Sequence, residues 1–142
     1  MTIQWSTAFE LGHERIDAEH RIFVRLLNEF ATRVERGADT GMLARTLNEI
    51  RKFAEFHFVS EENIMEELDY PRSDEHHGVH AQLLEAFDGL MRDMASGAIR
   101  PQEVQQALVD WFTLHALQED QKLVAHIGNI GWSNIEITNP FF

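Results

Sequence analysis

The segment from Leu43 to Leu68 carries the most informative chemistry in the chain. Read at alternating steps of four and three, it gives Leu43, Leu47, Ile50, Ala54, His57, Glu61, Ile64 and Leu68. This is an unbroken helical seam whose only polar members stand one turn apart. Burying an imidazole or a carboxylate is costly unless something pairs with it. A metal ion pairs with both. Five further residues fall on or near inward-facing stripes: His20, His76, His80, His115 and Asp120. Five histidines and two carboxylates overfill a tetrahedral zinc site, and they are too rich in nitrogen for magnesium or calcium. Two carboxylates bridging a pair of ions about 3.5–4 Å apart, with imidazoles as the outer ligands, would use the whole set. Iron, manganese and zinc all suit these donors.

Four helices must position these residues. Residues 1–15 look non-helical and carry a lone Trp5. A first helix is expected from Asp17 to Arg36, with Ile16 before it as a staple residue. Its stripe is Phe23, Val24, Leu27, Phe30, Ala31 and Val34, with His20 one turn ahead. Gly37 to Gly41 interrupts, and Asp39 or Thr40 is the expected N-cap of a second helix. That helix runs to Leu68 and is closed by Asp69-Tyr70-Pro71. Ser73 or Asp74 is the expected cap of a third helix with the seam His76, His80, Leu83/Leu84, Phe87, Leu90/Met91 and Met94. Gly97 ends it, and Pro101 suits the first turn of a fourth.

The fourth seam reads Val104, Leu108, Trp111, His115, slips by one residue, and resumes as Asp120, Leu123, Ile127. His115 and Asp120 are five apart, which in a regular α-helix separates them by about 140°. A π-bulge between them would explain both the slip and the spacing. The pattern predicts an all-α protein, an antiparallel up-down-up-down four-helix bundle over residues 1–127. Its N-terminal segment is non-helical, and a short tail, 128–142, follows. The tail carries Trp132, Ile135, Ile137, Phe141 and Phe142. So many large apolar side chains in one short segment predict that it folds back onto the bundle, with a partner-docking segment or the stub of a linker to another domain as the alternatives.

Composition narrows the function. Twelve basic against twenty-four acidic residues give a formal charge of −12, which argues against nucleic acid and anionic membrane surfaces as partners. The absence of cysteine excludes disulfides, thiolate zinc sites and cysteine-ligated iron–sulfur clusters. Met1–Asp17 has neither the basic nor the apolar region of a signal peptide, and no apolar run has transmembrane length. A cytoplasmic protein is expected. His13, His77 and His126 lie off the seams and are not read as ligands.

Ile16-Asp17-Ala18-Glu19-His20 is followed by His57-Phe58-Val59-Ser60-Glu61-Glu62 with Met65. Then come His76 and His80 four apart, Trp111 four before His115, and Asp120 five after it. Over about residues 1–127 this order resembles the bacterial hemerythrins. The resemblance implies two Fe ions in a non-haem di-iron centre with an oxo or hydroxo bridge, and reversible O2 binding rather than an enzymatic reaction. His76, His80 and His115 would hold one iron, His20 and His57 the other, and Glu61 and Asp120 would bridge. O2 would bind on the two-histidine side. Phe23, Phe56, Ile64, Trp111, Phe112 and Leu114 are the expected pocket wall, and Phe112 stands where such proteins commonly carry Leu. Glu62 and Glu119 are expected to face solvent. An O2 or redox sensor signalling to a partner is the alternative function, though the chain names no protein partner. A di-iron oxidase or peroxidase is a third. Ferritin-like enzymes build their sites from paired Glu-x-x-His motifs, and that motif occurs here only at Glu10–His13, outside the seams.

Overall fold

The computed structural model describes residues 2–129, with the side chains of His115 and Asn129 excepted. It is all-helical, with no strand among the described residues. None of its helices is long and apolar enough to cross a membrane.

Local chemistry sets the element boundaries. Helix α1 spans Glu14–Glu35, starting three residues earlier than the sequence suggests. The N-cap is His13, whose Nδ1 accepts the Ile16 N–H at 3.2 Å. A histidine does here what Ser, Thr, Asp or Asn usually does, and this hides the helix start from a reading of cap preferences. Ile16 is therefore not a staple ahead of the helix but a fully buried member of its first turn. Helix α2 spans Thr40–Glu67, and Asp39 caps it by accepting the Met42 N–H at 2.8 Å. Asp69, at φ 51°, turns the chain out of α2. Helix α3 spans Ser73–Ser96 and has no side-chain cap at its start. Ser73 lies within the helix and donates its hydroxyl to the Tyr70 carbonyl at 2.7 Å instead. Gly97, at φ 80°, closes α3, with the Ala98 N–H returning to the Asp93 carbonyl.

The fourth rod is built of three parts. Helix α4 spans Pro101–Asp110, with Pro at its start. A π-helical turn follows at Trp111–Ala116, and α5 continues over Leu117–Asn129. The inserted residue that the His115–Asp120 spacing demands is thus present. Gly128 and Asn129 still belong to α5, so the helix outlasts its expected end; residues 130–142, with Trp132 and the other apolar tail residues, lie outside the described residues.

Ahead of α1, a 3-10 turn at Thr7–Phe9 forms part of an arm tied down at two places. The Asn28 side chain exchanges two hydrogen bonds with the backbone of Ile3, both 2.7 Å. Asp17 accepts the backbone N–H groups of Leu11 and Gly12 at 2.9 and 3.1 Å.

Helix α1 packs against α2 and α4, and α3 against α2 and α4. The apolar interior is divided. A large cluster includes Phe23, Phe30, Leu47, Ile50, Phe87 and Leu108. A smaller one comprises Ile16, Ile64, Met65, Tyr70, Leu123 and Ile127.

Candidate metal centre

Between the two apolar clusters, every rod contributes polar side chains to the interior. On α1, His20 lies between Ile16 and Phe23. On α2, His57 and Glu61 lie between Ala54 and Ile64. His76 and His80 precede Phe87 on α3, and Asp120 lies between Ala116 and Leu123 on the fourth rod. All six are buried, and His20, His57 and Glu61 are completely so.

Their inner atoms converge. Asp120 Oδ2 lies 2.6 Å from His20 Nε2 and 3.1 Å from His57 Nε2, and Asp120 Oδ1 lies 3.3 Å from His76 Nε2. Glu61 Oε1 lies 3.0 Å from His80 Nε2, 3.4 Å from His76 Nε2 and 3.5 Å from His57 Nε2. Two groups result, each with donor atoms within 4.8 Å of one another: Glu61, His76, His80 and Asp120 in one, His20, His57 and Asp120 in the other. Asp120 belongs to both. The backbone of His115 lies in the π turn; its side chain is outside the described residues, so its expected place among the ligands rests on the sequence.

The buried groups of this band strongly shift one another's protonation. Burial, and then the charge of Asp120, push the Glu61 carboxyl well up. Burial would also raise Asp120, but the groups facing it, Glu61 first and then His20, His57 and His76, outweigh burial and hold Asp120 well below the usual range. Burial opposes protonation of His57, yet Glu61, Asp120 and Glu19 together hold its imidazole well above its ordinary value. His80 goes the other way, lowered to about 3 by burial and then by His76. Glu61 Oε2 and His76 Nε2 are buried with no hydrogen-bond partner among the described residues. Polar atoms left unpaired in the interior are costly, and a divalent cation would satisfy both and offset carboxylate charge. The donor set fits a transition metal.

A family model described as the hemerythrin HHE cation binding domain matches residues 11–127. The chain belongs to the hemerythrin family. It is similar to a bacteriohemerythrin of Ralstonia nicotianae, 30% identical over 130 residues that cover 91% of each chain. It is also similar to a bacteriohemerythrin of Stenotrophomonas maltophilia, 26% identical over 120 residues covering 82% of this chain and 76% of the relative. A myohemerythrin of Theromyzon tessulatum is 26% identical over 97 residues, covering 68% of this chain and 75% of that protein.

Around the donor atoms of this hemerythrin-family site lies a second layer that the sequence reveals only partly. Glu19 is buried beside His57, with 2.6 Å between Oε1 and Nδ1. No seam or motif spacing singles it out; its place beside His20 is the one available signal. Glu62, expected in solvent, is half-buried and accepts from His80 Nδ1 at 3.3 Å and from exposed His77 Nδ1 at 2.5 Å. Glu119 pairs with Lys122 at 3.0 Å. Phe58 lies flat against His80, with centroids 4.0 Å apart and planes within 11°.

Four of the six expected wall residues are in the interior. Phe23 meets His57 edge-on at 5.3 Å, Phe112 meets His20 at 5.5 Å, and Trp111 meets Phe23 at 5.1 Å. Ile64 is buried in the smaller cluster. Phe56 and Leu114, however, are more than half exposed and line nothing inside. Phe56 sits one residue before His57, about 100° around α2. Leu114 sits in the π turn, where regular spacing does not predict facing.

Proposed function

We propose that this hemerythrin-family chain binds O2 reversibly at a non-haem di-iron centre, for storage, delivery or scavenging, and is not an enzyme. The observation that carries the reading is the convergence of buried imidazoles and carboxylates from all four rods, with Glu61 Oε2 and His76 Nε2 left without a hydrogen-bond partner among the described residues. His76, His80 and His115 would hold one iron and His20 and His57 the other. Glu61 and Asp120 would bridge the pair, together with a solvent-derived oxo or hydroxo group. The rods run up-down-up-down, each antiparallel to the next; the short connections between them support this order. Two bound irons supply the reversible two-electron chemistry that O2 requires.

The chain's own contribution is geometry and dryness. Asp120, shared between both donor groups, fixes their separation. Phe23, Trp111 and Phe112 close the His20/His57 side with aromatic edges, which keeps water and larger anions out of a low-dielectric pocket. Phe58 and Glu62 hold the ring of His80 from its face and its outer nitrogen, so its Nε2 stays aimed inward.

Anaerobic reconstitution with ferrous iron, followed by elemental analysis and an optical O2 titration, tests the reading. Two irons per chain and a charge-transfer band that appears with O2 and disappears on purging are expected. One zinc and no iron in natively expressed protein, or irreversible oxidation with turnover of a reductant, would overturn it.

A further inference from the structure

Glu19 is a buried carboxylate outside the donor set, held at both oxygens. Its Oε1 accepts from His57 Nδ1 at 2.6 Å, and its Oε2 accepts the Ser60 hydroxyl at 2.9 Å and faces Arg15 Nε at 3.4 Å. Both oxygens are therefore committed, one to the imidazole and the other to groups that aim the carboxylate at it. His20 offers the contrast. It stands on the same side of Asp120 as His57, yet its outer nitrogen, Nδ1, is buried and has no hydrogen-bond partner among the described residues. An imidazole whose outer N–H is taken by a carboxylate is fixed in one tautomer and becomes a stronger donor through its inner nitrogen.

We propose that Glu19 is a positioning residue that locks His57 with its proton on Nδ1, strengthens Nε2 as a metal donor, and so makes His57 and His20 unequal ligands of one iron. Glu19 lies next to His20 on α1 but acts across the bundle on α2. One turn of α1 thus supplies a ligand to the site and tunes a ligand on the neighbouring helix. Ser60, adjacent to Glu61, completes the brace from α2.

The inference rests on the di-iron reading, and the experiment separates the two. Ferrous iron is titrated anaerobically into the parent, Glu19→Gln and Ser60→Ala proteins against a chromophoric chelator, and the reduction potential of each loaded centre is measured. Glu19→Gln keeps the side chain's size and an oxygen that accepts from Nδ1, but removes the charge, so a cross-tie between helices survives. Its iron affinity is expected to fall by about 10–100-fold and its potential to rise. Ser60→Ala, which leaves the carboxylate but removes one of the two groups on Oε2, is expected to shift both in the same direction by less. If Glu19→Gln fails to fold or load, the Ser60→Ala shift decides. A parent that loads two irons beside variants of unchanged affinity and potential would overturn the role of Glu19 alone. A parent that takes up no iron would overturn the di-iron reading and this inference with it.

Discussion

Leu117 donates its backbone N–H to the carbonyl of Phe112, five residues back. That single widened turn lets the rod carry both Trp111, at its start, and Asp120, beyond its end, inward, although regular helical spacing would turn one of them away. Deleting Leu114, whose side chain is exposed, should restore i→i−4 bonding and rotate α5 by about 100° relative to α4. Asp120 would leave His20 and His57. Near-complete loss of iron binding with retained helical circular dichroism is expected; a deletion variant that still binds two irons would sink the idea.

Phe112 is fully buried, its ring edge-on to His20 and to Phe9 of the N-terminal arm. Phe112→Leu should open space on the His20 side while costing the fold about 1 kcal/mol. The iron-loaded variant is expected to bind azide faster and to autoxidise faster than the parent. Stopped-flow azide binding and the decay of the O2 adduct measure both. Unchanged rates at full iron occupancy would leave Phe112 as packing only.

His13 couples the start of α1 to pH. Burial lowers its pKa from the ordinary 6.5, outweighing the nearby charge of Asp17. Its Nδ1 must also stay unprotonated to accept from Ile16. Above pH 6.5 folded and unfolded chains both hold the ring neutral. Below it the unfolded chain gains a proton that the folded chain resists, so stability is lost as pH falls towards and through the folded pKa. His13→Asn keeps a capping side chain without the titration. Urea unfolding of the metal-free proteins across this range should show the parent losing stability more steeply than the variant. Parallel curves would refute the linkage.

Asp17 anchors the arm through two charge-assisted bonds to Leu11 and Gly12. Asp17→Ala should cost about 2 kcal/mol. It should also red-shift the emission of Trp5, which packs between Phe9 and the Arg21 guanidinium. Denaturant midpoints and fluorescence check the two effects together. A destabilised variant with unaltered Trp5 emission would show that the arm is held by other contacts.

The sequence was most informative where periodicity and local chemistry agree. The α2 seam, the Asp39 cap, the Gly97 stop and Pro101 at the head of α4 all depend on neighbours within a few residues. The π turn was legible for a different reason: a five-residue spacing between two inward groups has few geometric solutions. What the sequence hid depends on distant contacts. Glu19 is buried because His57 and Ser60, 38 and 41 residues away, receive it. Glu62 leaves solvent because α3 brings His77 and His80 against it. Phe56 and Leu114 misled in the opposite sense, since closeness in sequence to an inward residue says little about which way a large side chain points.

The divided interior also bears on how the molecule comes apart. Ile16, Ile64, Met65, Tyr70, Leu123 and Ile127 form a small apolar knot at one end of the rods, cut off from the main cluster by a belt of imidazoles and carboxylates. Such a knot, joined to the rest through polar groups, is a natural unit of partial opening. Cations seated in the belt would bind the two halves into one cooperative block, because whatever binds only the closed form adds its binding energy to that form. Stripped of metal, the protein should let this end breathe while the Phe30–Leu47–Leu108 end stays shut. Amide hydrogens of Ile64, Met65 and Leu123 would then exchange earlier than those of Phe30 and Leu47, so the site's ligands would double as the seam that holds a two-part fold together.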